Sequence, residues 1–519
     1  MSRQTVGHLS DLQQGQMKQV EVDDVDLLLV RLGDGVRALA ATCPHHGAPL
    51  GEGLLHDGHI LCPWHMATFD AEDGSLQDPP SLEGLPQFPV TIEGEDIIVD
   101  LPDDPPASCA VSMAEHDPNA DGRTFVILGA GAAGMTAAEA LRQNGFAGNI
   151  VMLTHENDPP YDRTDLSKPY LRSDEPAEPT IRGRDFYEQH GIELRTGFEA
   201  ANVDILKRRV TSAGGEEVTG DKLLLATGGT PRTLDVPGAD LIGVMTLRTY
   251  ADAKELRRRM GEAKRAVVVG ASFIGMEVAS GLVEQGMDVT VVAPETVPFK
   301  AAFGEAIGRM YQTVHEDKGV TFKLGRTVGH FAGDDFLEAV VLDDGSTLRA
   351  DVAVLGVGVR PETDYLKPDQ LNSDGSVTVN SYLQITGDVF AAGDIASFAD
   401  WRTGQSTRIE HWRVAQQQGI VAARNMLGAQ SEYRRVPFFW TNQYMVITDY
   451  LGHAAEWDEV VVDGDIEEQD FLAFYIKDEG VHAVAGCGRS RAIAACLELM
   501  EAQPLPTLQR LRAEMAKLI

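Results

Sequence analysis

Cysteine is scarce in this chain. Five residues in 519 cannot make a disulfide framework, so each domain must be held by its own apolar core. Basic residues are outnumbered too: Lys and Arg total 44 against 79 Asp and Glu, a formal net charge of −35. Nucleic-acid binding wants a basic face, so no nucleic-acid partner is expected, and a solvated acidic surface is the plain reading. Long apolar runs are missing, and none approaches the roughly 20 residues that span a membrane. The N-terminus does not pair a basic start with an apolar stretch and a small-residue cleavage site. A soluble, cytoplasmic protein without a membrane partner is therefore expected. Charge and apolar content are otherwise ordinary, and the length leaves room for about three or four domains.

What is present centres on FVILGAGAAG at 125–134. An apolar strand runs into Gly129, Gly131 and Gly134, and an Ala-rich helical pattern follows. Gly129 permits the tight turn, Gly131 lets backbone approach a pyrophosphate, and Gly134 allows close helix–strand packing; the phosphates then meet the free N–H groups at the helix start. A near-repeat appears at 266–275, AVVVGASFIG, with Gly270 and Gly275 at the outer positions and Ser272 in place of the middle glycine. Two such units suggest two bound nucleotides. Ahead of them, residues 1–101 carry short strand-like runs at 20–22, 27–32, 36–39, 88–92 and 97–99, broken by Gly, Asp and Pro. The stretch 102–122 is rich in Pro, Asp and Ala without a period and reads as a linker.

The first region also holds Cys43-Pro-His45 and, further on, Cys62-Pro-Trp-His65. Two Cys–His pairs on Gly- and Pro-rich loops suit zinc or a Rieske 2Fe–2S cluster, in which two cysteines hold one iron and two histidines the other. Cys-x-His followed by Cys-x-x-His inside a small β domain is the Rieske spacing, whereas zinc fingers keep their histidines on a helix. The metal ligands are therefore expected to be Cys43, His45, Cys62 and His65, with His46 the neighbour most easily mistaken for a ligand. Cys109, Cys487 and Cys496 read as ordinary small residues.

TCPHHGAPL and LCPWHMATFD resemble ferredoxin-type Rieske domains. Relatives that oxidise quinols carry an extra cysteine in each loop and a hydroxyl pair that bonds the cluster. Here those positions hold Ala48 and Trp64, and Ala67 and Phe69. The resemblance therefore implies a potential toward the low end of the Rieske range. Met66 departs from the usual glycine after the last histidine. Downstream, PYDRTDLSKPY at 160–170, LATGG at 225–229, VFAAGD at 389–394 and Glu410-His411-Trp412 together resemble the flavoprotein reductases that serve oxygenase ferredoxins and the apoptosis-inducing-factor family. With the Rieske domain in front, the chain is most similar to the Rieske-containing members.

That resemblance implies a multidomain architecture: a small all-β Rieske domain (1–101), a linker (102–122), two Rossmann-like α/β nucleotide-binding domains, and an α+β C-terminal domain (436–519). The FAD-binding domain comes in two parts (123–248 and 373–435) around an NAD(P)H-binding domain (249–372). Glu156, ending the second strand, is the candidate for the adenosine ribose, with His155 as the alternative. Arg163 and Lys168 would supply cations near the flavin, Asp394 an acceptor for the ribityl chain, and Thr227 and Gly228 close backbone. Glu410 and His411 belong to the same flavin motif, and Trp412 offers an aromatic face. In the family a glutamate matching Glu277 pairs with the lysine matching Lys168 at the reactive flavin edge, so Lys168, Glu277 and Trp412 are the catalytic candidates. Gly358 lies in GVGVRP, similar to the family's closing loop over the nicotinamide. The strand 289–292 ends at Ala293, with Glu295 two residues on and no arginine to receive a 2′-phosphate. NADH is expected, with NADPH as the alternative.

Disulfide reductases of this fold carry a Cys-x₄-Cys or Cys-x-x-Cys beside the flavin, and this sequence has neither. The expected function is an FAD oxidoreductase passing electrons from NADH to the fused cluster and on to a partner protein, a ferredoxin or an oxygenase. The alternative is a non-enzymatic redox-sensing or interaction protein of the apoptosis-inducing-factor type. An oligomer is compatible with either.

Overall fold

The computed structural model describes residues 2–33 and 35–519. The described residues of 2–101 build mainly β structure, antiparallel sheets of three, four and four strands, with two single 3-10 turns at Leu9–Asp11 and Leu50–Glu52. The second sheet joins Met17–Val22, Val25–Leu32, Gly35–Ala40 and Gln87–Phe88. The third joins Leu54–His56, His59–Leu61, Thr68–Asp70 and Leu76–Asp78. Its strands are three residues long, too short to write a period of two into the sequence. The two Cys–His loops follow Gly35–Ala40 and His59–Leu61, so both leave strands that the core holds.

The segment 102–122 has almost no regular structure, yet it is tied down along its length. Gly84 and Cys109 exchange backbone hydrogen bonds, Ala114 N–H donates to Arg142 O (2.9 Å), and Asp117 N–H donates to Ala147 O (2.9 Å).

Two doubly wound units follow. In the first, β1 (Thr124–Leu128) is central in a six-stranded sheet and runs into helix α1 (Ala132–Gln143). In the second, β2 (Arg265–Val269) is central in a five-stranded parallel sheet and runs into α2 (Phe273–Glu284). After their first residue the central strands, FVIL and AVVV, are unbroken apolar runs, as sheets covered on both faces require. The chain then returns to the first unit through Val389–Ala391, which pairs with Lys222–Leu225, and through α3 (Trp412–Met426), which packs on α1. The C-terminal region starts with β3 (Phe438–Gln443), the edge of a five-stranded antiparallel sheet, and closes with helices Ser490–Ala502 and Leu508–Leu518.

The front domain does not stand apart. Leu54, Leu61 and Met66 are fully buried in one cluster with Val436, Phe438 and Leu451 of the C-terminal region. No helix among the described residues is long and apolar enough to cross a membrane.

Candidate redox site

Each Cys–His loop is a turn closed by its own backbone. Cys43 N–H donates to Ala48 O (2.9 Å) and Gly47 N–H back to Cys43 O (2.9 Å); Cys62 N–H donates to Ala67 O (2.8 Å) and Met66 N–H to Cys62 O (3.3 Å). Closing the second loop puts Met66 at φ 61°, in the left-handed region where glycine would be free of strain. Its side chain is sunk in the core shared with the C-terminal region, which offsets that strain with apolar burial.

The loops bring the four candidate ligands together. The thiols of Cys43 and Cys62 lie close enough that each shifts the titration of the other, and the two Nδ1 atoms of His45 and His65 face each other at 3.0 Å. Burial pushes the His45 imidazolium down to about 3 and holds that of His65 well below the usual range. Both rings are therefore neutral, the form that ligates a metal. Two thiols and two neutral imidazoles, buried and convergent, fit a 2Fe–2S cluster of the Rieske kind. His46 is exposed, its Nε2 3.9 Å from Asp165, and its ring lies against that of His45. Ala48, Ala67 and Phe69 are buried and bring no donor, and the Thr68 hydroxyl is spent on Met66 O (3.2 Å). Hence the midpoint potential is expected nearer the −150 mV end of the Rieske range of about −150 to +300 mV, and Phe69→Tyr should raise it. A redox titration followed by electron paramagnetic resonance reads both values.

The ligand loops point into the flavoprotein. His45 Nε2 lies 4.0 Å from Asp162, and the His65 ring packs at 4.0 Å on Trp440 of β3. A cleft of about 310 Å³ opens between the two parts, lined by Pro44, His45, His46, Asp162, Arg182 and Trp412 among others. Trp412 is half-buried as the first residue of α3. His411, just before it, is half-buried and held neutral, desolvation pushing its imidazolium down to about 3.

The fingerprint glycines behave as their spacing requires. A Cβ on Gly129 would meet Ala226 O at 2.1 Å, and one on Gly134 would meet Gly129 O at 1.9 Å, while Gly131 faces open space at the start of α1. That open cradle fits a pyrophosphate. In the second unit a Cβ on Gly270 would strike Gly356 O and one on Gly275 would strike Gly270 O, with Ser272 at the helix start. Gly358 has φ 91° and follows the Val352–Leu355 strand.

Several candidates already hold one another. Glu156 is ion-paired with Arg163 and accepts from the Tyr161 hydroxyl; Arg163 also donates to Arg248 O (2.9 Å). Asp394 pairs with Arg248 (2.7 Å), a cation no motif in the sequence flags. The Thr227 hydroxyl donates to Glu362 O (2.6 Å), and Gly228 O accepts from Glu362 N–H. Glu410 is paired with Arg408. Glu295 is exposed beyond the strand Asp288–Ala293; the nearby Arg326 is engaged with Asp344 (2.9 Å).

Lys168 Nζ lies 2.8 Å from Glu277 Oε2, an ion pair joining the flavin unit to α2. The sequence does not flag what surrounds it. The Ser167 hydroxyl donates to the same oxygen (2.6 Å), and Thr441 of β3 donates to the other (2.8 Å). Gln443 then donates to Thr441 (2.9 Å), and buried His315 contacts Gln443 Oε1 (2.7 Å). Donors from two parts of the chain thus converge on one buried carboxylate from a third.

Residues 123–419 match the pyridine nucleotide-disulphide oxidoreductase family, residues 2–89 the Rieske [2Fe-2S] domain, and residues 438–518 the reductase C-terminal domain. The chain is 38% identical to apoptosis-inducing factor 3 of Mus musculus over 511 residues, covering 96% of this chain and 83% of that one. It is 34% identical to the ferredoxin–NAD(+) reductase component of the anthranilate 1,2-dioxygenase system of Burkholderia cepacia, covering 75% of this chain and 96% of that one. Among solved structures, the ferredoxin reductase for the CYP199A2 system from Rhodopseudomonas palustris superposes with a TM-score of 0.71 at 31% identity, covering 75% of this chain and 96% of that one.

Proposed function

The chain belongs to the pyridine nucleotide-disulphide oxidoreductase family, as an FAD- and NAD(P)H-dependent flavoprotein with a Rieske domain in front. From that premise we propose that electrons from NADH pass through FAD to the cluster held by Cys43, His45, Cys62 and His65, and then to a partner protein, a ferredoxin or an oxygenase. The supporting observation is the placement of the ligand loops: His45 faces Asp162 in the same cleft as Trp412, and the His65 ring packs on Trp440. When bound, the flavin accepts a hydride and releases electrons singly, and the cluster carries one at a time.

The protein's part is to hold and orient. Gly129, Gly131 and Gly134 cradle the flavin pyrophosphate, and Gly270 and Gly275 that of the nicotinamide nucleotide. Glu156, Arg163, Thr227, Gly228 and Asp394 line the flavin site. Lys168, fixed by Glu277, presents a cation where negative charge accumulates on reduction, and Trp412 lines the cleft toward the cluster loops.

Anaerobic mixing with NADH, with flavin bleaching and the cluster spectrum followed in one trace, tests the route; the cluster should bleach after the flavin. A redox-sensing role would instead show slow turnover and a long-lived complex of reduced flavin with nicotinamide. With Glu295 at the strand end and Arg326 committed to Asp344, NADH should exceed NADPH by about tenfold or more in kcat/KM. Equal values for the two nucleotides would remove that assignment.

A further inference from the structure

The composition of 102–122 suggests a tether that lets the front domain swing. The contacts between the front domain and the rest of the chain point the other way, and they concentrate on the segment 78–84, DPPSLEG. Pro79, Pro80, Ser81 and Gly84 are buried in it, although it contains no regular structure beyond Asp78. Its two acids are met by cations of the flavoprotein. Glu83 pairs with Arg182 (2.7 Å) and accepts from the Ser108 hydroxyl of the tether itself. Asp78 is held by Arg413 (2.5 Å) and Gln417 (2.7 Å), both on α3, with Arg435 at 3.5 Å.

Arg413 is the centre of this contact. It is 2% exposed, and its guanidinium donates to Pro79 O (2.8 Å), to Asp78 and to Met66 O (3.0 Å). Met66 directly follows the cluster ligand His65, and Trp412 directly precedes Arg413. One side chain therefore ties the cluster loop, the 78–84 segment and the flavin-unit helix together. A planar fork suits this, because one rigid group meets three acceptors at once.

We propose that 78–84 is a docking arm and Arg413 its positioning residue, so that the front domain stays seated during turnover with its histidine ligands toward the flavin. Undocking would strip a desolvated ion pair of its partner and expose Leu54, Leu61 and Met66, each fully buried. The tether's own hydrogen bonds to Gly84, Arg142 and Ala147 then serve to shorten its slack rather than to permit a swing. The kinetic side of the proposal rests on the electron route above; the docking itself does not.

The test is hydrogen exchange on the holoprotein, oxidised and during turnover with NADH, alongside anaerobic stopped-flow. Amides in 62–67 and 78–84 should stay protected in the native protein under both conditions. In Arg413→Met their exchange should rise by about tenfold or more, flavin bleaching should keep its native rate, and cluster bleaching should slow by about tenfold. Arg413→Lys, which keeps charge but not the fork, should fall between. Asp78→Asn serves as the second variant if Arg413→Met does not fold. Unprotected amides in the native protein during turnover, or a folded Arg413→Met with native protection and native cluster reduction, would overturn the proposal. If the native flavin bleaches and the cluster never does, the electron route fails, and the exchange data decide the docking on their own.

Discussion

Lys168→Ala should slow reduction of the flavin by NADH by about a hundredfold or more, while lowering stability by only about 1–2 kcal/mol. The rate effect follows from position. The ammonium is held by Glu277 at 2.8 Å, and a fixed cation in a water-poor site stabilises developing negative charge without having to reorganise. Stability is less exposed than a buried ion pair ordinarily makes it. Breaking such a pair costs about 3–5 kcal/mol when the remaining charge is stranded, but Glu277 here keeps the hydroxyls of Ser167 and Thr441. Glu277→Gln should slow the same step, because Lys168 then loses its anchor while the carboxamide keeps the volume. Thr441→Val, which removes one donor and leaves the pair, should change the rate by less than about tenfold. Stopped-flow bleaching of the flavin absorbance together with urea unfolding separates the two effects. Native bleaching rates in Lys168→Ala would remove the lysine from the reaction.

The residues in that prediction divide by how they can be read. The nucleotide-binding turns announce themselves because strand, glycines and helix lie within ten residues, and the same is true of each Cys–His loop. Lys168 and Glu277 are linked only through family resemblance, since 109 positions separate them. Ser167, Thr441, Gln443 and His315 carry no local mark: each is an ordinary polar residue until the fold gathers them around one carboxylate. Arg413 and Asp78 are 335 positions apart, and helix periodicity would place Arg413 on a solvated face rather than buried against another domain. Composition likewise reads 102–122 as slack, because backbone hydrogen bonds to distant carbonyls leave no trace in sequence. The strands Leu54–His56, His59–Leu61, Thr68–Asp70 and Leu76–Asp78 were beyond reach for a simpler reason: three residues hold too little alternation to count.

Cys62→Ala should remove iron and acid-labile sulfide from the protein, leave the flavin bound and reducible by NADH within about twofold, and cut electron delivery to a protein acceptor by about a hundredfold. The flavin should survive because the loop does not depend on the thiol for its shape. Cys62 closes the turn through its backbone, Met66 is anchored in the core shared with Val436 and Phe438, and Arg413 grips Met66 O. The front domain should therefore stay seated as an inert cover. This separates two routes that the intact protein cannot distinguish. If the cluster is the exit, losing it stops delivery although flavin reduction continues. If a carrier takes electrons from the flavin directly, delivery persists in Cys62→Ala, and it should rise in a chain lacking 1–101, where the covering domain is gone. The buried face of His65 against Trp440 favours the first outcome, since a carrier approaching that edge would have to displace a ring packed at 4.0 Å. Metal analysis of the native protein completes the argument: zinc in place of iron would leave two thiols and two imidazoles holding an ion that carries no electrons, and the route would have no way out through the front domain.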